Sequence, residues 1–494
     1  MIITRIARRL GNERGMVLVL ALGVLISVSV TSVAIIEYTS SNTRSTNTGK
    51  SDQLAFALGE AGINNAMAVL SHPENNALNP DILPERTNEY EGGSVTWSGV
   101  LDQLNAVWTL TSVGRVDSPH GVGDLTRTLT AKVPVTPTLT QPLDNPAWNY
   151  IFSYQVTGGD CDMTLKNTVE VGARLYVSGN LCLQNKAWIS GGQTLVGGEV
   201  TMSHTDNTIG TSAAPISELH VGAGCKWSNN ARHDPCLNGA GSSGYDNVWA
   251  TTITNTPPAL TAPVADWDAW YLNASPGPFY PCYTVSGTPP TFDNDQNTAS
   301  PSASTRNNSV AGTFHLTPAA SYTCWTAGGE LSWNATTKVL TVRGTIFIDG
   351  NVKVENGALN TYDGQATMYV SGSVLLKNSK LCGGVSGSDC DFAAWDPNQR
   401  MLVFVANGSG GQTDVPTGVS IEIKSAQFQG GLYGTNKVQF DTSSKSDGPV
   451  VASEVVLGQS IVMHDFPVIT EVPAGMPSNP TIYAQPNSPE LFSG

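Results

Sequence analysis

The chain has 494 residues, with 40 acidic and 25 basic side chains and a formal net charge of −15. Basic residues mass only at the N-terminus, so binding of nucleic acid through phosphate contacts is excluded as the leading reading. Charged residues make up only 13% and glycine is abundant at 50, a texture that suits an exported, β-rich protein long enough for two or three domains.

Arg5, Arg8, Arg9 and Arg14 form a basic leader over residues 1–15, which ends at Gly15. Residues 16–36 then carry no charge. A helix rises 1.5 Å per residue and about 20 apolar residues cross a bilayer core, so this run predicts one transmembrane helix. No basic residue follows until Arg44. That asymmetry places the N-terminus in the cytoplasm and the remainder outside, a single-pass topology. A cleaved signal peptide is the alternative, with Ser32-Val33-Ala34 imitating its cleavage site. Leu54, Leu58, Ala61, Ala66 and Val69 recur at helical spacing, and His72-Pro73 ends that pattern. Strands are expected at 94–97, 106–116 and 124–133 from their alternation and Thr/Val content. Residues 37–133 therefore read as a helix on a small antiparallel sheet. Pro134, Pro137, Pro142 and Pro146 mark a linker over 134–147.

Asn12-Glu13-Arg14-Gly15-Met16-Val17-Leu18-Val19-Leu20-Ala21-Leu22 resembles the start of the PilX-type minor pilins of type IV pili. Ser51-Asp52-Gln53-Leu54-Ala55-Phe56 and Gly59-Glu60-Ala61-Gly62 resemble that family's second helical block. The likeness spans about the first 70 residues. It implies cleavage by a prepilin peptidase after Gly15, a mature chain that starts at Met16, residence in the inner membrane, and assembly with other pilin or minor pilin subunits. Major pilins carry a glutamate at the fifth mature position, where this chain has Leu20. PilX-like minor pilins and some tip pseudopilins share that departure, which implies a minor, priming or tip subunit at the cell surface.

A repeat follows. LYVSGNLCLQN at 175–185, IFIDGNVKVEN at 346–356 and MYVSGSVLLKN at 368–378 share one template. TLVGGEVTMSH at 194–204, LHVGAGCKWSN at 219–229 and VVLGQSIVMHD at 455–465 also fit it. Positions 1, 3, 7 and 9 are mostly apolar, position 4 or 5 is usually Gly, and position 11 is Asn, His or Asp. Paired short strands recurring about every 20 residues predict a parallel β-solenoid, or β-helix, over 148–229 and 341–470. Glycine is expected to supply the bend's backbone angles, and the position-11 Asn to bond neighbouring backbone and stack on the same residue of adjacent rungs. Hairpins of an ordinary sandwich are the alternative. At rung-pattern level only, the segment resembles bactofilin-like polymer-forming domains. The fold class is thus an α+β pilin-like module followed by a mainly β solenoid.

The template is absent from 230–340, which holds Trp249, Trp267, Trp270, Tyr271, Tyr280, Tyr283, Trp325 and Trp333. This insertion either offers a platform for a surface glycan or packs its aromatics into a core of its own. Residues 471–494 read as a Pro-rich tail. Eight cysteines pair most simply in sequence order, as Cys161–Cys182, Cys225–Cys236, Cys282–Cys324 and Cys382–Cys390. Zinc is the rival reading, but no C-x-x-C occurs. Cys182 takes position 8 of its template and Cys161 lies about one repeat earlier. That spacing predicts a disulfide between adjacent coils, clamping a first, otherwise open edge.

No catalytic residue, metal or cofactor is indicated. The histidines (His72, His120, His204, His220, His233, His315, His464) are scattered, and His204 and His464 fall at or beside template ends. Asp293-x-Asp295-x-Asn297 imitates the opening of a calcium loop without its Gly and distal Glu. Asp349, Lys353 and Glu355 read as solvated side chains. The alternative function is a membrane-anchored β-helix enzyme acting on polysaccharide, which needs converging carboxyl groups.

Overall fold

One helix of 58 residues, Glu13–Leu70, joins the apolar run to the amphipathic block. The computed structural model describes residues 13–72, 77, 82–102, 107–118, 123–136, 140–155, 161–241, 245–265, 267, 283–284, 313–326, 329–348, 350–408, 412–478 and 485–493. The C-terminal part of the helix packs on an antiparallel meander of Arg86–Tyr90, Gly93–Asp102, Val107–Asp117 and Asp124–Thr136. Ala55, Leu58, Ile63, Ala66 and Leu70 are buried there with Val95, Trp108, Leu110 and Leu129. Contact is close because glycines meet across it. A Cβ on Gly114 would lie 2.0 Å from the Ala55 carbonyl oxygen, and one on Gly62 2.2 Å from Ser112 Oγ. The Asp52 carboxylate takes two hydrogen bonds from Arg127, at 2.5 and 2.7 Å, tying helix to sheet.

The C-terminus returns to this sheet. Glu490–Ser493 pairs with Asp124–Thr136 (Glu490 opposite Lys132), and Glu471–Pro473 pairs with Thr140–Pro142. The segment read as a Pro-rich tail therefore contributes strands to the N-terminal module and to the linker. Four residues flanked by prolines carry too little alternation to announce a strand.

Beyond the linker the chain is mainly β, with 27 strands in one sheet among the described residues. Its pairings are largely parallel and run in three ladders. The first passes through Ile346, Met368, Phe404, Leu432, Val450, Ile151, Leu175, Thr194, Leu219 and Ile253. The second passes through Phe314, Val352, Val374, Ile421, Val438, Val455, Met163, Leu181, Val200 and Cys225. The third links Asn360, Leu381, Phe428, Ser446, Met463, Val171, Ile189 and Ile209. All ten residues of the second ladder are buried, at 2% exposure or less. They form one continuous apolar column, because strand side chains alternate faces.

Spatial order differs from sequence order. Val450–Gln459, late in the chain, lies between Gly431–Asp441 on one side and Ile151–Ser153 and Met163–Val171 on the other. The N-terminal strands thus continue the stack that the C-terminal strands begin. Residues 255–265 and Trp267 lie along the outside of the first ladder. Leu260 N–H donates to Tyr176 Oη, Tyr433 Oη donates to the Pro263 carbonyl, and Trp267 packs edge-on to Tyr369 at 5.0 Å. Glu471–Pro473 packs against Met401–Ala406, which is buried at all six positions. Both of its faces are covered, so its sequence is a continuous apolar run.

Five of the six template segments share one register, since Leu175, Thr194 and Leu219 align, as do Ile346 and Met368. The sixth is corrected. Val455 aligns with Met163 and hence with Leu181, in the second ladder rather than the first. Each ladder alternates in the same way, so a strand-turn-strand template fits two phases. The role given to glycine is also corrected at Gly197 and Gly222. A Cβ there would lie 2.2 Å from Ser178 O and Gly197 O respectively, so close approach of successive backbones excludes a side chain. Positive φ does occur at the corner glycines Gly224 and Gly350, and also at the turn between second and third ladders, at Lys186, Asn378, Ser425 and Ser460 among others.

Candidate functional site

Three disulfides are present among the described residues: Cys161–Cys182, Cys225–Cys236 and Cys382–Cys390, with Cα separations of 5.7, 5.0 and 5.3 Å. The expected Cys282–Cys324 bond lies outside the described residues. Cys161–Cys182 does not clamp a free edge, because Met163–Val171 is paired on both sides, to Val450–Gln459 and to Leu181–Ile189.

The most exposed apolar surface is the start of the helix. Met16, Leu20, Leu25 and Ile36 are each more than half exposed, Leu20 at 61%. Val17, Leu20, Ala21, Val24, Leu25 and Val28 make one continuous apolar stripe. The hydroxyls of Ser27 and Thr31 donate to the carbonyls of Val24 and Ser27, at 2.9 and 2.8 Å, so they need no water. The helix is long and apolar enough to cross a membrane. Gly15 lies inside it, at the third residue.

Several sequence candidates take structural places. Trp267 and Trp333 are buried, which corrects the glycan-platform reading for those two. Trp270, Tyr271, Tyr280 and the Asp293, Asp295, Asn297 series lie outside the described residues, as do Asp349, His120 and the side chains of Tyr283 and Trp325. Lys353 and Lys377 both reach Glu355, at 3.2 and 3.4 Å. His204 Nδ1 accepts from the Asp206 backbone N–H. His233 sits 2.7 Å from buried Asp246. Position-11 asparagines bond neighbouring backbone, Asn229 Oδ1 accepting from Ala231 N–H and Asn356 Oδ1 from Ala358 N–H, and asparagine also acts at template position 6. Asn180 Oδ1 accepts from Glu199 N–H and Asn351 Oδ1 from Ser373 N–H, each bond tying one layer to the next. The Gly-Asn dipeptide was the available signal for that.

Two buried carboxyl groups escaped the sequence reading. Burial, and then the Asp441 charge, push Glu422 up to about 8. Burial, and then Asp465 and Asp391, push Asp447 up to about 8. They stand on different ladders, Glu422 opposite Gln439 and Asp447 opposite Gln429, so they make no acid pair. Glu422 is 1% exposed and its Oε2 has no partner. Its folded state holds the proton more tightly than the unfolded chain does, whose value is near 4.5. Stability is then full below about pH 4.5 and falls as pH rises through about 8. At about 1.36 kcal/mol per pH unit the loss stays under about 5 kcal/mol. Glu422→Gln is expected to flatten that decline. Melting temperatures measured across the range check it, and parallel wild-type and variant curves would contradict it.

Among the described residues no three His, Cys, Asp or Glu side chains converge as a metal centre. Comparison with protein-family models, curated proteins and solved structures finds no match.

Proposed function

We propose that the chain is a minor pilin-like subunit of a type IV pilus or related filament, presenting a parallel β-solenoid for adhesion, priming or tip function. The observation that carries this reading is the single 58-residue helix. Its first part is apolar and exposed, and its last part is packed on a small antiparallel sheet. An exposed apolar surface of that size needs a cover. On this reading the inner membrane covers it before assembly, and the helices of other subunits cover it afterwards. Prepilin peptidase cuts after Gly15, and Leu20 leaves a neighbour's N-terminal amine without an acidic partner.

The three ladders, closely spaced glycine corners and buried columns support the solenoid. Because linker and tail both join the N-terminal module, the solenoid stands as an insertion between Asp124–Thr136 and the returning Glu490–Ser493 strand. Separation of Glu422 from Asp447 supports binding over polysaccharide hydrolysis. The full chain is expected in the sheared filament fraction of cells that make it. Its confinement to membranes, in cells with abundant filaments, would contradict the proposal.

A further inference from the structure

We propose that Asp447 and His464, beneath the loop closed by Cys382–Cys390, bind a borderline divalent cation such as Zn2+ or Mn2+. Gln427–Gln429 pairs with Lys445–Asp447, and Ser446 aligns with Met463. The next residues, Asp447 and His464, therefore fall side by side in adjacent layers of the third ladder. Asp447 is 1% exposed, with Gln429 the donor side chain beside it and no hydrogen bond of normal geometry at either oxygen. His464 Nδ1 is equally buried and unpartnered, 3.8 Å from Asp447 Oδ1.

The loop roofs these atoms. Gly384 N–H donates to Gln429 Oε1 at 2.9 Å, and Gln429 Nε2 donates to the Asp391 carbonyl at 2.8 Å. The Phe392 ring lies edge-on to His464, with centroids 4.2 Å apart. Trp395 closes over Gly448, where a Cβ would meet its ring at 3.1 Å. Asp391 and Asp465 add negative charge around Asp447, and Lys445 is the basic group facing His464.

Buried acceptors without donors are costly, and a native fold rarely keeps three together unfilled. A cation bound at about 2.1 Å from an oxygen and an imidazole nitrogen spans a 3.8 Å gap with an open ligand angle. No third His, Cys, Asp or Glu joins them among the described residues. On this proposal water completes the sphere. One imidazole beside a carboxylate suits Zn2+ or Mn2+ better than Ca2+, which takes all-oxygen cages.

The test uses the full chain in detergent, stripped with chelator and titrated with ZnCl2, MnCl2 or CaCl2 by calorimetry. Amide exchange is read across 383–400 in parallel. One-to-one binding of zinc or manganese is expected, with slowed exchange in that loop. Affinity should fall at least tenfold in Asp447→Asn and in His464→Gln, the second variant leaving the buried carboxyl in place. No binding, wild-type affinity in either variant, or a response to calcium alone overturns the site.

Discussion

A chain truncated after Pro449 is expected to lose order in Ile151–Ser153 and Met163–Val171, although the cut lies at the far end of the β sequence. Val450, Val451, Ala452, Val455 and Leu457 are wholly buried, between Gly431–Asp441 and the N-terminal strands. Removing them strips a central strand from the first two ladders and opens two long edges at once. The point version is Leu457→Ala. Leu457 lies opposite Phe440 on one side and Leu165 on the other. Truncating so deeply buried a leucine costs about 2–5 kcal/mol. Amide exchange should quicken on both sides of the seam. Unchanged protection over Met163–Val171 would show that the two halves stand independently. The seam also gives Cys161–Cys182 a task. On the proposed export route the N-terminal half emerges first, and this bond holds its edge together until Val450–Gln459 arrives to cover it.

Deletion of residues 16–36 is expected to abolish both membrane retention and filament association. The remaining helix keeps Ala55, Leu58, Ile63, Ala66 and Leu70, which are buried against the small sheet. The module should therefore still fold, and the Asp52–Arg127 pair should persist. What disappears is the exposed apolar rod, worth about 25 cal/mol for each Å² it buries in lipid or in a filament. Fractionation reads the outcome. A deleted chain that still sediments with filaments would move the assembly element into the β part.

Sequence made the elements legible wherever one periodicity ruled. The uncharged run 16–36 and the apolar spacing from Leu54 to Val69 lie on one continuous helix. Strands that alternate against a Gly corner, as at 175–185 and 346–356, declared their ladder positions to the residue. Met401–Ala406 did not, because cover on both faces erases alternation. The seam between Val450 and Ile151 was invisible for another reason. Parallel pairing over so long a separation is carried by buried contacts between distant segments, not by any local signal. The buried carboxyls were hidden likewise. Asp447 follows a serine and precedes a glycine, an ordinary turn sequence, until the Cys382–Cys390 loop closes over it.

The assembly reading rests most directly on where the mature chain begins. Mass spectrometry of the N-terminal peptide, taken from protein recovered from cells, reads that position. Met16 as the first residue, after loss of residues 1–15, is the predicted result. An intact Met1, or a start just after Ala34, would contradict it and leave a simply anchored or secreted β protein.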